Sequence, residues 1–338
     1  MIVAVVVSLV LVSSILVAAA ISSRRKKPNF ISSFSGKHVF ITGASSGIGL
    51  SLSKQFLSEG AFVTLVARNS GRLEDAAKFL LKEVQCSSDQ FRTKIADVGD
   101  YAVIRRVIEE AFAWRPIDVL ICNAGLLRTA YFEDLKLQDI NDLMQTNVMG
   151  SVYPVHAALP SLKQRSRTHP ICIVFVASLA SLIWLYGASV YTGSKRAVKG
   201  IAETLALELI PFTNIRVNLV CPGTTESPML DNVCTEGELS EGILAASAYD
   251  RKEAQTADEV AEITIAGIKQ GTFLITTTPY VGPMATVLSR GIIPEDSLLG
   301  NCVEAVAFVV LRLITFLTAA SFKRRLVDIH RKYNKNEA

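Results

Sequence analysis

Tyr191 and Lys195 stand four residues apart, with Ser178 a short way upstream. The chain also carries the run Thr42-Gly43-Ala44-Ser45-Ser46-Gly47-Ile48-Gly49 ahead of them. On a helix an i,i+4 pair shares one face, so a phenol and an ammonium at that spacing can act on one atom. A free tyrosine titrates near pH 10, too high for efficient proton transfer at neutral pH. A neighbouring ammonium favours the phenolate and lowers that value. A serine hydroxyl beside the pair can hold a substrate oxygen against the phenol. The set therefore suits proton transfer at an oxygen while hydride moves at the adjoining carbon.

The glycine run supplies the place for a hydride carrier. Gly43, Gly47 and Gly49 lie where a strand gives way to a helix. Glycines there let the backbone approach a pyrophosphate, and the helix N-terminus presents free N–H groups to the anion. Ser45 or Ser46 can add a hydroxyl contact, with Ile48 inside the same turn. The next strand ends Val66-Ala67-Arg68-Asn69. An NAD site usually places an acid there for the ribose 2′-hydroxyl. Arg68 instead suits a 2′-phosphate, which points to NADP(H); the alternative is a solvated strand-end charge. Asp97, next to Val98, can accept from an adenine amino group or cap a helix. In Asn123-Ala124-Gly125, small residues let the backbone pass a nicotinamide ribose, and Asn123 reads first as structural support. An oxidised nicotinamide would add its positive charge to that of Lys195 in favouring the Tyr191 phenolate. Asn147 falls on a helix that could carry a water linking Lys195 to solvent.

These residues need elements to position them. Apolar runs at 37–42, 61–67, 91–96, 117–122, 171–177, 215–220 and 273–276 read as strands covered on both faces. Helical patterns fill 48–58, 72–84, 101–114, 135–162, 190–209 and 257–269. Such alternation implies right-handed βαβ crossovers. The fold class is therefore α/β: a doubly wound, mostly parallel seven-stranded sheet in the order 3-2-1-4-5-6-7, with ligand at the carboxyl edge. The folded domain is expected over 37–276, after a Ser-rich basic linker at 22–36, with an extension at 277–338. Residues 224–256 form a long insertion placed to cover substrate.

The 338 residues carry a net charge of +4. Arg24, Arg25, Lys26 and Lys27 contribute as much as the whole excess, and the tail beyond residue 322 is basic again. The stretch between is net acidic, which argues against nucleic acid as a partner and suits basic flanks beside an anionic membrane. Residues 1–21 hold no charged side chain, long enough for a helix across a bilayer. The charge cluster after that run favours an uncleaved anchor with the domain in the cytosol over a cleaved signal peptide. At 305–322 an apolar stretch is interrupted by Arg312 and followed by Lys323, Arg324 and Arg325. An interfacial or re-entrant helix fits it better than a crossing; packing on the protein itself is the alternative. Of six cysteines, none forms a C-x-x-C pair, and Cys122, Cys172 and Cys221 bound apolar runs as core thiols would. The four histidines are scattered, and no metal is expected. Trp184 and Tyr186 either line a substrate pocket or pack beneath one.

The glycine turn, Asn123-Ala124-Gly125 and the Ser178/Tyr191/Lys195 set resemble the short-chain dehydrogenase/reductase superfamily over 37–276. The resemblance implies a Rossmann sheet and a tetrad of Asn147, Ser178, Tyr191 and Lys195. It places Lys195 on the cofactor ribose and Pro222-Gly223 in a turn beside the nicotinamide amide. The apolar N-terminus, the stretches 60–69 and 150–154, and the C-terminal extension look like 3-ketodihydrosphingosine reductases. Those are NADPH-dependent enzymes of the endoplasmic reticulum membrane that reduce a lipid ketone. They usually carry Pro-Pro-Asp-Thr after the sixth strand, where this chain has Pro222-Gly223-Thr224-Thr225. The resemblance thus implies a lipid ketone and a membrane as partners, and similar proteins commonly pair subunits through the helices at 135–162 and 190–209. The rival readings are a microsomal retinoid or hydroxysteroid dehydrogenase and a non-catalytic NADP(H)-binding scaffold.

Overall fold

The computed structural model describes residues 29–84, 86–233, 237–245, 254–279 and 281–289, together with 307–308, 311, 324–330 and 332–333. Its strands are β1 (His38–Thr42), β2 (Phe62–Ala67), β3 (Phe91–Ile95), β4 (Val119–Cys122), β5 (Ile171–Val176), β6 (Ile215–Cys221) and β7 (Leu274–Thr276). They form one sheet in the order β3-β2-β1-β4-β5-β6-β7. Every pairing is parallel. That is the order expected from the sequence.

The helices between them are α1 (Gly47–Ser58), α2 (Ser70–Val84), α3 (Tyr101–Trp114), α4 (Leu137–Leu143), α5 (Gly150–Arg165), α6 (Ser189–Glu208), α7 (Gly237–Ala245), α8 (Ala257–Gln270) and α9 (Val281–Ser289). Alternate strand residues face opposite layers. Phe40, Leu120, Ile173 and Leu219 pack beneath the layer that holds Ile104, Val155 and Val198. Val39, Ile121, Val174 and Val220 pack with Leu52, Phe56 and Ile268 on the other side. Burial on both faces is why β1 and β5 show no polar alternation. β3 departs from that expectation. It is one of the two edge strands, with one neighbour only, and exposes Arg92, Thr93 and Ile95.

The core begins earlier than residue 37. Ile31 and Phe34 are buried, although the sequence places them in a polar linker. Phe34 meets Phe56 edge-on, with ring centroids 4.8 Å apart. The Ile31 N–H donates to the Lys269 carbonyl at 3.1 Å. The expected anchor at 1–21 lies outside the described residues, as does most of 305–322. Among the described residues no helix is long and apolar enough to cross a membrane.

The single helix expected over 135–162 is three pieces. Between α4 and α5 runs a π-helical turn, Met144–Met149. The extra residue per turn re-aims the side chains that follow it. Gly150 then lies against Val98, where a Cβ would come within 2.5 Å of Val98 Cγ2. The described part of the insertion after β6 is also built from defined elements. Its neck is closed by Thr225 and Gln255, with Glu226 N–H donating to the Gln255 carbonyl and Gln255 N–H to the Thr224 carbonyl, both at 2.9 Å. Within it lie a short 3₁₀ turn at Pro228–Asn232 and α7.

Candidate active site

The carboxyl ends of β1, β4 and β5 converge on one cleft of about 320 Å³. Its floor is the turn between β1 and α1. Gly43 and Gly47 have φ of 66° and 52°, the left-handed region that glycine adopts without strain. A Cβ on Gly49 would lie 2.3 Å from the Gly43 carbonyl oxygen. Helix and turn therefore close together only without side chains, which leaves room for a phosphate at the α1 N-terminus. Asn123 fixes this turn to β4. Its Nδ2 donates to the Thr42 carbonyl at 2.9 Å and to that of Gly43 at 3.2 Å. Thr42 Oγ1 in turn accepts from the N–H groups of Asn123 and Ala124.

At one end the cleft is lined by Ser45, Ser46, Arg68, Arg72, Asp97 and Val98. Arg68 is exposed to it. The next position, Asn69, caps α2 by accepting from the Arg72 N–H at 2.9 Å. Where an acid could face a ribose, the chain thus offers two guanidinium groups and a capping amide. Asp97 does not cap α3. Its Oδ1 accepts from the Gly99 N–H at 2.8 Å, and Asp100 is the cap, accepting from Val103 N–H.

At the other end stand Ser178, Tyr191 and Lys195. β5 delivers Ser178 and α6 the other two, both buried. Lys195 Nζ donates to the Val176 carbonyl at 3.0 Å. Burial lowers its pKa from 10.5 to about 8. The Tyr191 phenol behaves differently from the sequence argument. Burial pushes its pKa up, and the opposing influence is the Ser178 hydroxyl rather than Lys195. Nζ lies 6.0 Å from the phenol ring centroid and gives its hydrogen bond to the Val176 carbonyl of β5. Ser178 Oγ accepts from the Ala180 N–H at 3.1 Å, which leaves its own proton to donate.

Asn147 sits in the π-helical turn, fully buried. Its Oδ1 accepts from Leu126 N–H at 2.7 Å, and its Nδ2 donates to the Leu126 carbonyl at 3.0 Å and Ser194 Oγ at 2.9 Å. It therefore joins the loop after β4 to α6. Pro222 and Gly223 form the turn after β6. The Pro222 carbonyl accepts from Leu179 N–H at 2.7 Å, and Gly223 N–H donates to Thr277 Oγ1 at 3.2 Å. Among the described residues no group of His, Cys, Asp and Glu could hold a metal ion.

Residues 37–237 match the family model for short chain dehydrogenase. The chain belongs to the short-chain dehydrogenase family. It is 34% identical to a 3-dehydrosphinganine reductase of Arabidopsis thaliana, over 77% of this chain and 75% of that one. It is 31% identical to the 3-ketodihydrosphingosine reductase of Bos taurus, over 85% of this chain and 84% of that one. Among solved structures, a short-chain dehydrogenase/reductase of Burkholderia phymatum in complex with NAD superposes with a TM-score of 0.66. That alignment has 22% identity and covers 78% of this chain and 99% of the other.

In this dehydrogenase the space beside Tyr191 is apolar. Leu126, Leu127, Ile183, Leu185, Met229 and Leu230 line it. Trp184 also faces the cleft, while Tyr186 packs beneath the insertion. A Cβ on Gly242 would meet Tyr186 Cε1 at 2.3 Å. Sequence reasoning missed the leucines of the β4 loop. Their one signal is position, directly after Asn123-Ala124-Gly125.

Proposed function

We propose that this dehydrogenase reduces the ketone of a long-chain lipid with NADPH, and that 3-ketodihydrosphingosine is the substrate. The observation that carries the reading is the apolar pocket opening onto Tyr191 and Ser178, in a chain similar over most of its length to 3-ketodihydrosphingosine reductases. The glycine cradle and the two arginines at the adenosine end favour a phosphorylated ribose. Bound there, the cofactor supplies hydride to the carbonyl carbon and, once oxidised, a positive charge beside the phenol. Tyr191 gives its proton to the carbonyl oxygen, so ketone plus hydride plus proton becomes the alcohol. Ser178 holds that oxygen in line with the phenol. Lys195 would hold the ribose of the bound cofactor. We assign Asn147 the return path of the proton, by way of a water at the π-helical turn, in addition to its tie between Leu126 and α6.

The membrane part of the proposal rests on sequence. Residues 1–21 would anchor the protein in the endoplasmic reticulum membrane with the domain facing the cytosol, and 305–322 would lie along the surface. The anchor keeps the pocket where an amphiphilic substrate resides. Protease protection of the domain inside intact microsomes would sink that orientation. The exposed Met144, Met149 and Leu207 support pairing of two copies, which light scattering reads directly.

The experiment for the activity is turnover by the purified full chain in detergent with NADPH. The panel holds 3-ketodihydrosphingosine, a steroid ketone and retinal. Ketone-dependent oxidation of NADPH with the first is expected. No consumption above background removes that substrate, and preference for a steroid or retinal selects the rival reading.

A further inference from the structure

We propose that His330, Lys332 and Tyr333 latch α7, the helix behind the wall of the substrate pocket, through Glu238 and Glu241. Behind that wall lies α7, none of whose residues lines the cleft itself. Its inner face carries Leu239 and Ile243, which pack into the apolar cluster that includes Tyr191, Leu127 and Val233. The approach is close, for a Cβ on Gly187 would lie 2.6 Å from Leu239 Cδ1. A nine-residue helix such as α7 is marginal on its own and depends on what it packs against.

The outer side of α7 offers Glu238 and Glu241, three residues apart and so on neighbouring positions of one face. Both are taken by the far end of the chain. His330 Nδ1 lies 2.9 Å from Glu238 Oε1. Lys332 Nζ donates to Glu241 Oε1 at 2.5 Å, and Tyr333 Oη donates to the same oxygen at 2.7 Å. The Lys332 and Tyr333 hydrogen bonds hold the Glu241 carboxyl below its usual range. One exposed ion pair of this kind is worth little. Here three groups from one short stretch converge on two carboxylates one turn apart, which fixes the orientation of α7 as well as its position.

The contact reaches inward. Burial, then the nearness of Tyr186 and Glu238, pushes the Tyr131 phenol well above its usual range. The neighbouring Ala130 N–H donates to the Gly187 carbonyl at 2.9 Å. Tyr131 meets Tyr186 edge-on with ring centroids 6.3 Å apart, and it belongs to the loop whose Leu126 and Leu127 line the pocket. None of the three tail residues lines the cleft. They are positioning residues, and what they position is the helix that backs Leu127 and Met229, which line the space a long acyl chain would occupy. The segment that carries them follows the apolar stretch at 305–322, so a tail held at a lipid surface would set the pocket wall from there. This deepens the lipid-ketone reading and rests on it for the substrate.

The test uses the full chain in detergent, as wild type, as Lys332→Ala/Tyr333→Phe, as Glu241→Lys, and as the reversed pair Glu241→Lys/Lys332→Glu. In the first two variants KM for 3-ketodihydrosphingosine rises about fivefold to tenfold, with kcat and NADPH affinity unchanged. Amide hydrogen exchange in 237–245 speeds up while that of β4 and β5 does not. The reversed pair restores both. Unchanged exchange in 237–245, or a reversed pair no better than Glu241→Lys alone, overturns the latch. If wild type fails to reduce the ketone, the substrate reading falls, and the exchange data still decide the latch.

Discussion

Lys195 is held inside the protein at a cost, and removing its charge should stabilise the fold while it destroys the activity. Burial drops its pKa from 10.5 to about 8. At about 1.36 kcal/mol per pH unit, keeping the ammonium charged in the folded state costs about 3 kcal/mol. Lys195→Met relieves that cost and fills a similar volume. It also strips the Val176 carbonyl of its donor, a loss of about 1 kcal/mol. The expected net gain at pH 7 is about 2 kcal/mol. For a domain of this size that moves the melting temperature up by about 4–8 °C. The folded-state pKa lies below the unfolded one, so between pH 8 and 10.5 the unfolded chain binds the extra proton. Wild type therefore gains stability as pH rises through that window, and its deficit against Lys195→Met closes. Thermal unfolding of both proteins without nucleotide, at pH 7 and again near pH 10, reads the effect. A variant less stable than wild type at pH 7, with a gap that does not change with pH, would refute the reasoning.

Two further outcomes follow from the cofactor end. Gly49→Ala forces a Cβ to 2.3 Å from the Gly43 oxygen and 2.5 Å from Asn123 Nδ2. It should cost about 1–3 kcal/mol in unfolding experiments and weaken NADPH binding measured by cofactor fluorescence. Gly193→Ala is the control, since nothing lies within 4 Å of its added Cβ. Arg68→Asp should lower kcat/KM with NADPH by about ten- to a hundredfold, the worth of a charge-assisted contact. It should leave NADH less affected. Equal losses with both cofactors would mean that Arg68 does not face the 2′-phosphate.

Much of the fold could be read because a covered parallel strand has a simple signature. The runs that became β4 and β5 are apolar on both faces, and right-handed crossovers leave few ways to order the strands. β3 was the exception in kind, since an edge strand such as Phe91–Ile95 mixes Arg92 and Lys94 into the run. The break at Met144–Met149 was not legible, because a π turn adds one residue without disturbing the apolar pattern around it. Ile31 and Phe34 were hidden among serines, and only the packing of Phe34 on Phe56 gives them meaning. At the site, Tyr191 and Lys195 could be singled out because their spacing came together with the glycine turn, Asn123-Ala124-Gly125 and Ser178. Their electrostatics were not legible, because a sequence shows neither that burial raises the phenol nor that the ammonium gives its hydrogen bond to the Val176 carbonyl. α7 left a faint trace in Leu239 and Ile243, four apart. Its bond to a tail some ninety residues away could come only from the structure.

The central claim is that the Tyr191 phenol protonates the carbonyl oxygen of a lipid ketone. Its most direct test is kcat for 3-ketodihydrosphingosine in Tyr191→Phe, with NADPH affinity measured on the same sample. The account requires kcat to fall by about 10²–10⁴-fold while NADPH still binds as in wild type. A phenylalanine variant that turns over like wild type would contradict it.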